Sequence, residues 1–159
     1  FSSFKLIEIN NFFKKKNINF LVNLPYIKKN KFTVKNKNKN ISIWPTIFPT
    51  SCVSIRRRAF VKFLKFAHQN KYPLLEIDAR LAIFAKYILN QNNLINKELT
   101  FYVSDPKGIS SYSPKFSKLW WLKRKQSFSY LQKVLNQSNQ KFIKGIDYYF
   151  TKLVNIFIN

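Results

Sequence analysis

The apolar positions of this chain recur at two different spacings, and each predicts a different kind of element. Ile55, Ala59, Phe60, Phe63, Phe66 and Ala67 fall at helical spacing, with Arg57, Arg58, Lys62 and Lys65 on the opposite face. That predicts an amphipathic helix running to about Gln69. Ser54 stands just before it, where a hydroxyl would accept an orphan backbone N–H, so it is the expected N-cap. A second helix is predicted after Pro73, with Glu76 and Asp78 in its first turn and Lys86 near its end, the sense that complements the helix dipole. Its buried stripe should be Leu74, Ile77, Leu81, Phe84 and Ile88. Helix resumes around Lys115. The tail from about Asn139 repeats Phe142, Ile146, Tyr149, Phe150, Leu153, Ile156 and Phe157, another amphipathic helix. Its stripe docks either on a neighbouring protein or on the domain's own core.

Extended patterns are fewer. Tyr26-Ile27 and Lys31-Phe32-Thr33-Val34-Lys35 read as extended, Asn36 to Asn40 alternates Asn with Lys, and Ile41-Ser42-Ile43-Trp44 reads as a strand. Two strands around an Asn-rich tip predict a β-hairpin at about 31–48 that projects as a charged finger, ended by Pro45 and Pro49. Residues 1–24 mix Phe, Ile and Leu with Lys14-Lys15-Lys16 and read as a basic arm or a short helix. Asp105-Pro106-Lys107-Gly108 and Pro114 carry turn chemistry, which predicts a loop over 102–114. The fold class that follows is mainly α: a single helical domain over 25–130 with one protruding β-hairpin, and an extra C-terminal amphipathic helix within an extension over 131–159.

Charge narrows the partners. There are 29 Lys plus Arg against 6 Asp plus Glu in 159 residues, a formal net charge of +23. Self-repulsion of that size disfavours a compact state until an anionic surface neutralises it, which points to nucleic acid. A chain that is 46% hydrophobic and 18% aromatic can still bury a core. The bias toward Lys, Asn, Ile and Phe is that of AT-rich codons, which suggests a mitochondrial or plastid genome. A chain beginning at Phe1 points to processing, an unusual start or a missing piece, and these stay open. One Cys and one His exclude an intrachain disulfide and a zinc site, and no cofactor is called for. No apolar run reaches the roughly 18 residues of a membrane span, and no clear signal peptide is present.

Catalysis has little to stand on. Cys52 and His68 lie near no recognisable motif, and two glycines, Gly108 and Gly145, cannot build a phosphate-binding loop. Nucleic-acid binding has more. Arg56, Arg57 and Arg58 at a helix start combine guanidinium donors with backbone N–H groups. Lys115, Lys118, Trp120, Trp121, Lys123, Arg124 and Lys125 interleave cations with aromatics, so that phosphate contact and base stacking are both available. Of the two tryptophans, one is expected to be buried and one partly exposed.

Read in order, Ser54-Ile55-Arg56-Arg57-Arg58-Ala59-Phe60, Asp78-Ala79-Arg80-Leu81-Ala82, Asn96-Lys97-Glu98 and Leu119-Trp120-Trp121-Leu122, with Ser127-Phe128-Ser129 after them, resemble the small-subunit ribosomal protein seven family. Asn23-Leu24-Pro25 followed by Phe32-Thr33-Val34-Lys35 is similar to the point where that family's third helix gives way to its β-ribbon. The resemblance covers roughly 20–130. It implies a non-enzymatic helical protein of the small-subunit head that binds the 3′ major domain of the rRNA beside other head proteins, with its hairpin near the exit-site tRNA and the mRNA path. By that resemblance Lys35, Lys37 and Lys39 lie on the hairpin; Lys28, Lys29 and Lys31, just before them, and Lys62 are further candidate RNA contacts by charge alone. Arg56, Arg57, Arg58 and Arg80 fall on the family's matched helical positions, and Lys123 and Arg124 extend the last matched segment. There are departures. The family's first two helices have no counterpart before Phe20, the ribbon glycines are replaced by Asn36, Asn38 and Asn40, and the tail beyond 130 is longer. The competing readings are another basic rRNA-binding protein of the same organellar ribosome and, further off, an accessory subunit on a lipid surface.

Overall fold

Phe20-Leu21-Val22 is apolar on both faces, and that places it at the centre of the molecule rather than in an arm. In the computed structural model, which describes residues 4–15, 17–27, 44–67, 69–102 and 114–158, strand β1 is Phe20–Ile27. It pairs antiparallel with β2, Val53–Ile55, in the register Phe20↔Ile55, Leu21↔Ser54 and Val22↔Val53. On its other side it pairs parallel with β3, Leu94–Tyr102, from Val22↔Leu94 to Ile27↔Tyr102. The three-stranded order is β2-β1-β3. Register shifts fall at Asn23/Leu24 and Leu24/Pro25, where the proline, which has no N–H for the ladder, is accommodated.

The chain divides into two compact units that interleave along the sequence. The first comprises Phe1–Ala67 and Ile77–Ser104, the second His68–Glu76 and Asp105–Asn159. In the first unit the sheet is covered on both faces. Helix α1, Lys5–Lys15, brings Ile9, Phe12 and Phe13 onto Ile18, Leu21, Ile95 and Leu99. The alternate residues Phe20 and Val22 pack with Phe63 of helix α2, Arg57–Ala67, and with Leu81, Phe84 and Ala85 of helix α3, Ile77–Tyr87. The Phe84 ring takes Phe63 edge-on at 5.4 Å and lies the same distance from Phe66. A strand buried on both sides reads as a continuous apolar run, not as an alternation. Helix α3 is similarly immersed: Ala79 through Ala85 are all buried.

The second unit is built on helix α4, Lys118–Gln137, opened by Ser117, whose hydroxyl accepts the Trp120 N–H at 3.2 Å. Tyr72 meets Tyr130 edge-on at 5.4 Å, and Gln126 Oε1 accepts the Leu74 N–H at 2.9 Å. Helix α5, Ile146–Phe157, lies along α4 with an inverted polarity. Its polar residues Thr151 and Asn155 are buried, while Ile146, Tyr149, Phe150, Leu153, Ile156 and Phe157 are exposed. Asn155 Nδ2 donates to the Trp121 carbonyl at 3.2 Å and Arg124 Nε to Thr151 Oγ1 at 3.0 Å. The inward face of α5 thus carries these hydrogen bonds to α4 beside the ring contacts of Phe150 with Trp121 and Tyr148 with Phe128.

Several expectations are corrected. The fold is mixed α/β, with five helices and a three-stranded sheet among the described residues, and not a mainly α domain with a single hairpin. Residues 1–24 hold both α1 and the start of β1. Ser54 does not cap α2; it pairs with Leu21, and the Arg56 carbonyl accepts the N–H groups of Ala59 and Phe60 instead. Ile77 is exposed rather than part of a buried stripe. Most of the expected hairpin at 31–48, and most of the expected loop at 102–114, lie outside the described residues; Trp44–Phe48, which are described, form no strand. Among the described residues no helix is long and apolar enough to cross a membrane.

Candidate nucleic-acid interface

An α-helix advances 100° per residue, so three consecutive cations cannot share a face. The Arg56-Arg57-Arg58 run shows the result. Arg56 is drawn inward: its Nη2 donates to the Phe13 carbonyl at 2.6 Å and its guanidinium lies 5.3 Å from the Phe13 ring. Arg58 reaches back to Asn19 Oδ1 at 2.7 Å and Asn17 Oδ1 at 3.2 Å. Arg57, exposed at the first position of α2, has no partner among the described residues. With exposed Lys62 and Lys65 further along, it forms a cationic strip beside the free N–H groups of the helix start, and both attract phosphate. Arg80 lies elsewhere. It is 3% exposed, and its Nη1 donates to the Ala67 carbonyl at 2.7 Å, closing the end of α2. It has no surface through which to meet RNA.

In the second unit the same sorting occurs. Lys123 is ion-paired to Glu76, and Arg124 to Asp147, with the Arg124 guanidinium 5.0 Å from the Trp120 ring. Lys115, Lys118 and Lys125 are exposed and, among the described residues, have no carboxylate partner. Trp121 is buried against Phe150 at 5.6 Å and Trp120 is half-exposed, the division expected from sequence. The two indoles meet edge-on at 4.6 Å.

Sequence reading missed Phe116. It is 71% exposed, its ring lies 5.4 Å from Trp120, and its φ of 68° is left-handed, a conformation that costs a bulky residue about 1–2 kcal/mol. An aromatic side chain held out by a strained turn, between Lys115 and Lys118, is a ready platform for an unstacked base. The signal in the sequence was Pro114-Lys115-Phe116, an aromatic in a turn where nothing local asks for one. Lys28, Lys29, Lys31, Lys35, Lys37 and Lys39 lie outside the described residues.

No family model, curated protein or solved structure matches this chain. Its chemistry therefore stands on its own residues. The one cysteine is fully buried, and burial pushes its thiol up from the ordinary value, the opposite of an activated nucleophile. Beside it, burial pushes the Lys5 ammonium down, while Lys5 Nζ donates to Thr100 Oγ1 at 2.7 Å and the Ser51 carbonyl at 2.5 Å. Thr100 also accepts from Asn23 Nδ2 at 3.0 Å. This network ties α1 to the sheet. Among the described residues no three of His, Cys, Asp or Glu come together as a metal site.

Proposed function

We propose that this chain is a non-enzymatic, rRNA-binding structural constituent of the small subunit of an organellar ribosome, mitochondrial rather than plastid. The observation that carries the reading is the set of exposed cations left over after the ion pairs are made. Among the described residues Glu8, Glu76 and Asp147 are matched to Lys97, Lys123 and Arg124. Arg57, Lys62 and Lys65 on one unit, and Lys115, Lys118 and Lys125 around the aromatic cluster of the other, remain for phosphate.

The finer assignment, to the head of the subunit on the 3′ major domain with Lys35, Lys37 and Lys39 toward the exit-site tRNA and mRNA path, rests on the collinear resemblance to small-subunit protein seven alone. A second reading, another basic rRNA-binding protein of the same ribosome, is favoured by the mixed sheet, which a helical domain with one hairpin does not contain. Binding to the isolated 3′ major domain across a salt series, against an unrelated RNA of equal length, tests both. Preference for the 3′ major domain that outlasts the loss of non-specific affinity supports the head assignment. Equal binding to both RNAs removes it and leaves the second reading, and no salt-sensitive RNA binding removes both.

A further inference from the structure

Helices α4 and α5 do not close fully on each other. Between them lies a cleft of about 280 Å³ whose walls include the rings of Phe128 and Tyr148, edge-to-face at 5.4 Å. Asn155 lines the same cleft. It is 2% exposed, both its Nδ2 bonds are made within the unit, and its Oδ1 has no hydrogen-bond partner among the described residues. A buried carbonyl oxygen left without a donor costs about 1–3 kcal/mol, which a ligand N–H would recover. Exposed Lys125 and Lys152 also line the cleft. Gln132 is shared with an adjoining open trough lined by the amides of Asn136 and Asn139 and by Lys141 and Lys144. The two hollows together present four lysines and no carboxylate.

We propose that this groove seats single-stranded RNA, with one unstacked nucleotide in the cleft and its neighbour's backbone along the trough. The inference rests on the RNA-binding reading above and gives it a second contact, which shares Lys125 with the first. Each part of the lining answers one part of a nucleotide. The aromatic rings take the base, and Asn155 Oδ1 accepts an N–H from its edge. Lys125 and Lys152 meet the phosphate, and the trough amides meet the ribose hydroxyl and the next base. An acyl chain would leave the amides and Asn155 unmatched, and a duplex cannot present an unstacked base. The cleft is at the small end of ligand pockets, sized for one base rather than two.

The test uses the full chain with a single-stranded oligonucleotide carrying 4-thiouridine, irradiated and mapped by mass spectrometry, beside a duplex of the same sequence. Crosslinks are expected on the segment holding Tyr148. Ser129→Leu, at an exposed α4 position lining the cleft, fills it without removing a core contact. It should lower that crosslink and single-strand affinity about fivefold or more, the lower range for one stacked base, while duplex affinity stays within about twofold. Mapping on the unsubstituted protein keeps the test decisive if that variant misfolds. Retained salt-sensitive RNA binding with crosslinks only elsewhere overturns the groove and spares the RNA reading. Loss of RNA binding altogether overturns both. Competition by free uridine 5′-monophosphate as effective as by the oligonucleotide, at equal nucleotide concentration, would make this a free-nucleotide site and overturn the RNA assignment.

Discussion

Arg56-Arg57-Arg58 and Lys123-Arg124-Lys125 are alike in composition and lie in different units, yet each gives up two of its three cations to the fold. In the first, Arg56 is spent on the Phe13 carbonyl and Arg58 on two asparagines; in the second, Lys123 and Arg124 are spent on Glu76 and Asp147. What differs is the partner. The first run hands its two cations to neutral oxygens and the second to carboxylates, so the first loses hydrogen bonds when a cation is removed and the second also leaves an acid uncompensated. A run of basic residues is thus a poor count of what reaches RNA. Among the described residues the free members are Arg57 and Lys125, one from each run.

The largest expected effect separates neighbours in the first run. Arg56→Ala should cost about 2–3 kcal/mol of stability, from one charge-assisted hydrogen bond and its contact with Phe13, whereas Arg57→Ala should stay within about 0.5 kcal/mol. Denaturant melts of the two variants check this, and equal losses would break the distinction. Arg124→Ala should cost less, about 1–2 kcal/mol, because its pair with Asp147 is half-exposed and much of the remainder is the bond to Thr151 and the contact with Trp120. Arg57→Ala and Lys125→Ala should each weaken RNA binding by about 1 kcal/mol or less and lower the slope of log affinity against log salt by about one, whereas Arg80→Lys should leave that slope unchanged. Filter binding at several salt concentrations measures both.

The smallest effect is a pair of opposed pH dependences in the first unit. Burial lowers the Lys5 ammonium below 10.5, so folding releases its proton and stability rises with pH across the window up to 10.5. Burial raises the Cys52 thiol above 9.0, so the folded chain keeps a proton the unfolded chain loses, and stability falls as pH climbs from 9.0 toward the folded value. Lys5→Met should remove its share of the rise and Cys52→Ala its share of the fall, over a background from buried Lys86, Tyr87 and Tyr72 that both variants keep. Melts from pH 8 to 10.5 that show the same slope in both variants would contradict the assignment.

Helices were legible because their signal is local. The spans expected at 54–69, after Pro73 and in the tail appear as Arg57–Ala67, Ile77–Tyr87 and Ile146–Phe157. The sheet was not. Phe20-Leu21-Val22 has no alternation because both its faces are covered, Pro25 argues against a strand, and Leu94–Tyr102 carries Asn96, Lys97 and Glu98 exposed beside buried Ile95 and Leu99. Only pairing between segments far apart makes these strands. The tail stripe was legible as amphipathic, but its orientation depends on contacts with another helix: the hydrogen bonds of Thr151 and Asn155 and the rings of Tyr148 and Phe150. For the site, cation type and position were readable, while the fate of Arg80 depended on the end of α2.

The placement of β1 between β2 and β3 has a consequence for the chain as it is made. Its parallel partner ends at Tyr102, some 75 residues after Ile27. At ordinary rates of synthesis that is roughly 4–15 s during which a strand of Phe, Leu and Val waits with an unpaired side. Until Tyr102 has emerged the first unit has no closed sheet. The nascent chain is then most exposed to wrong pairing, and slowing or stalling translation between Ile27 and Leu94 would lengthen that interval.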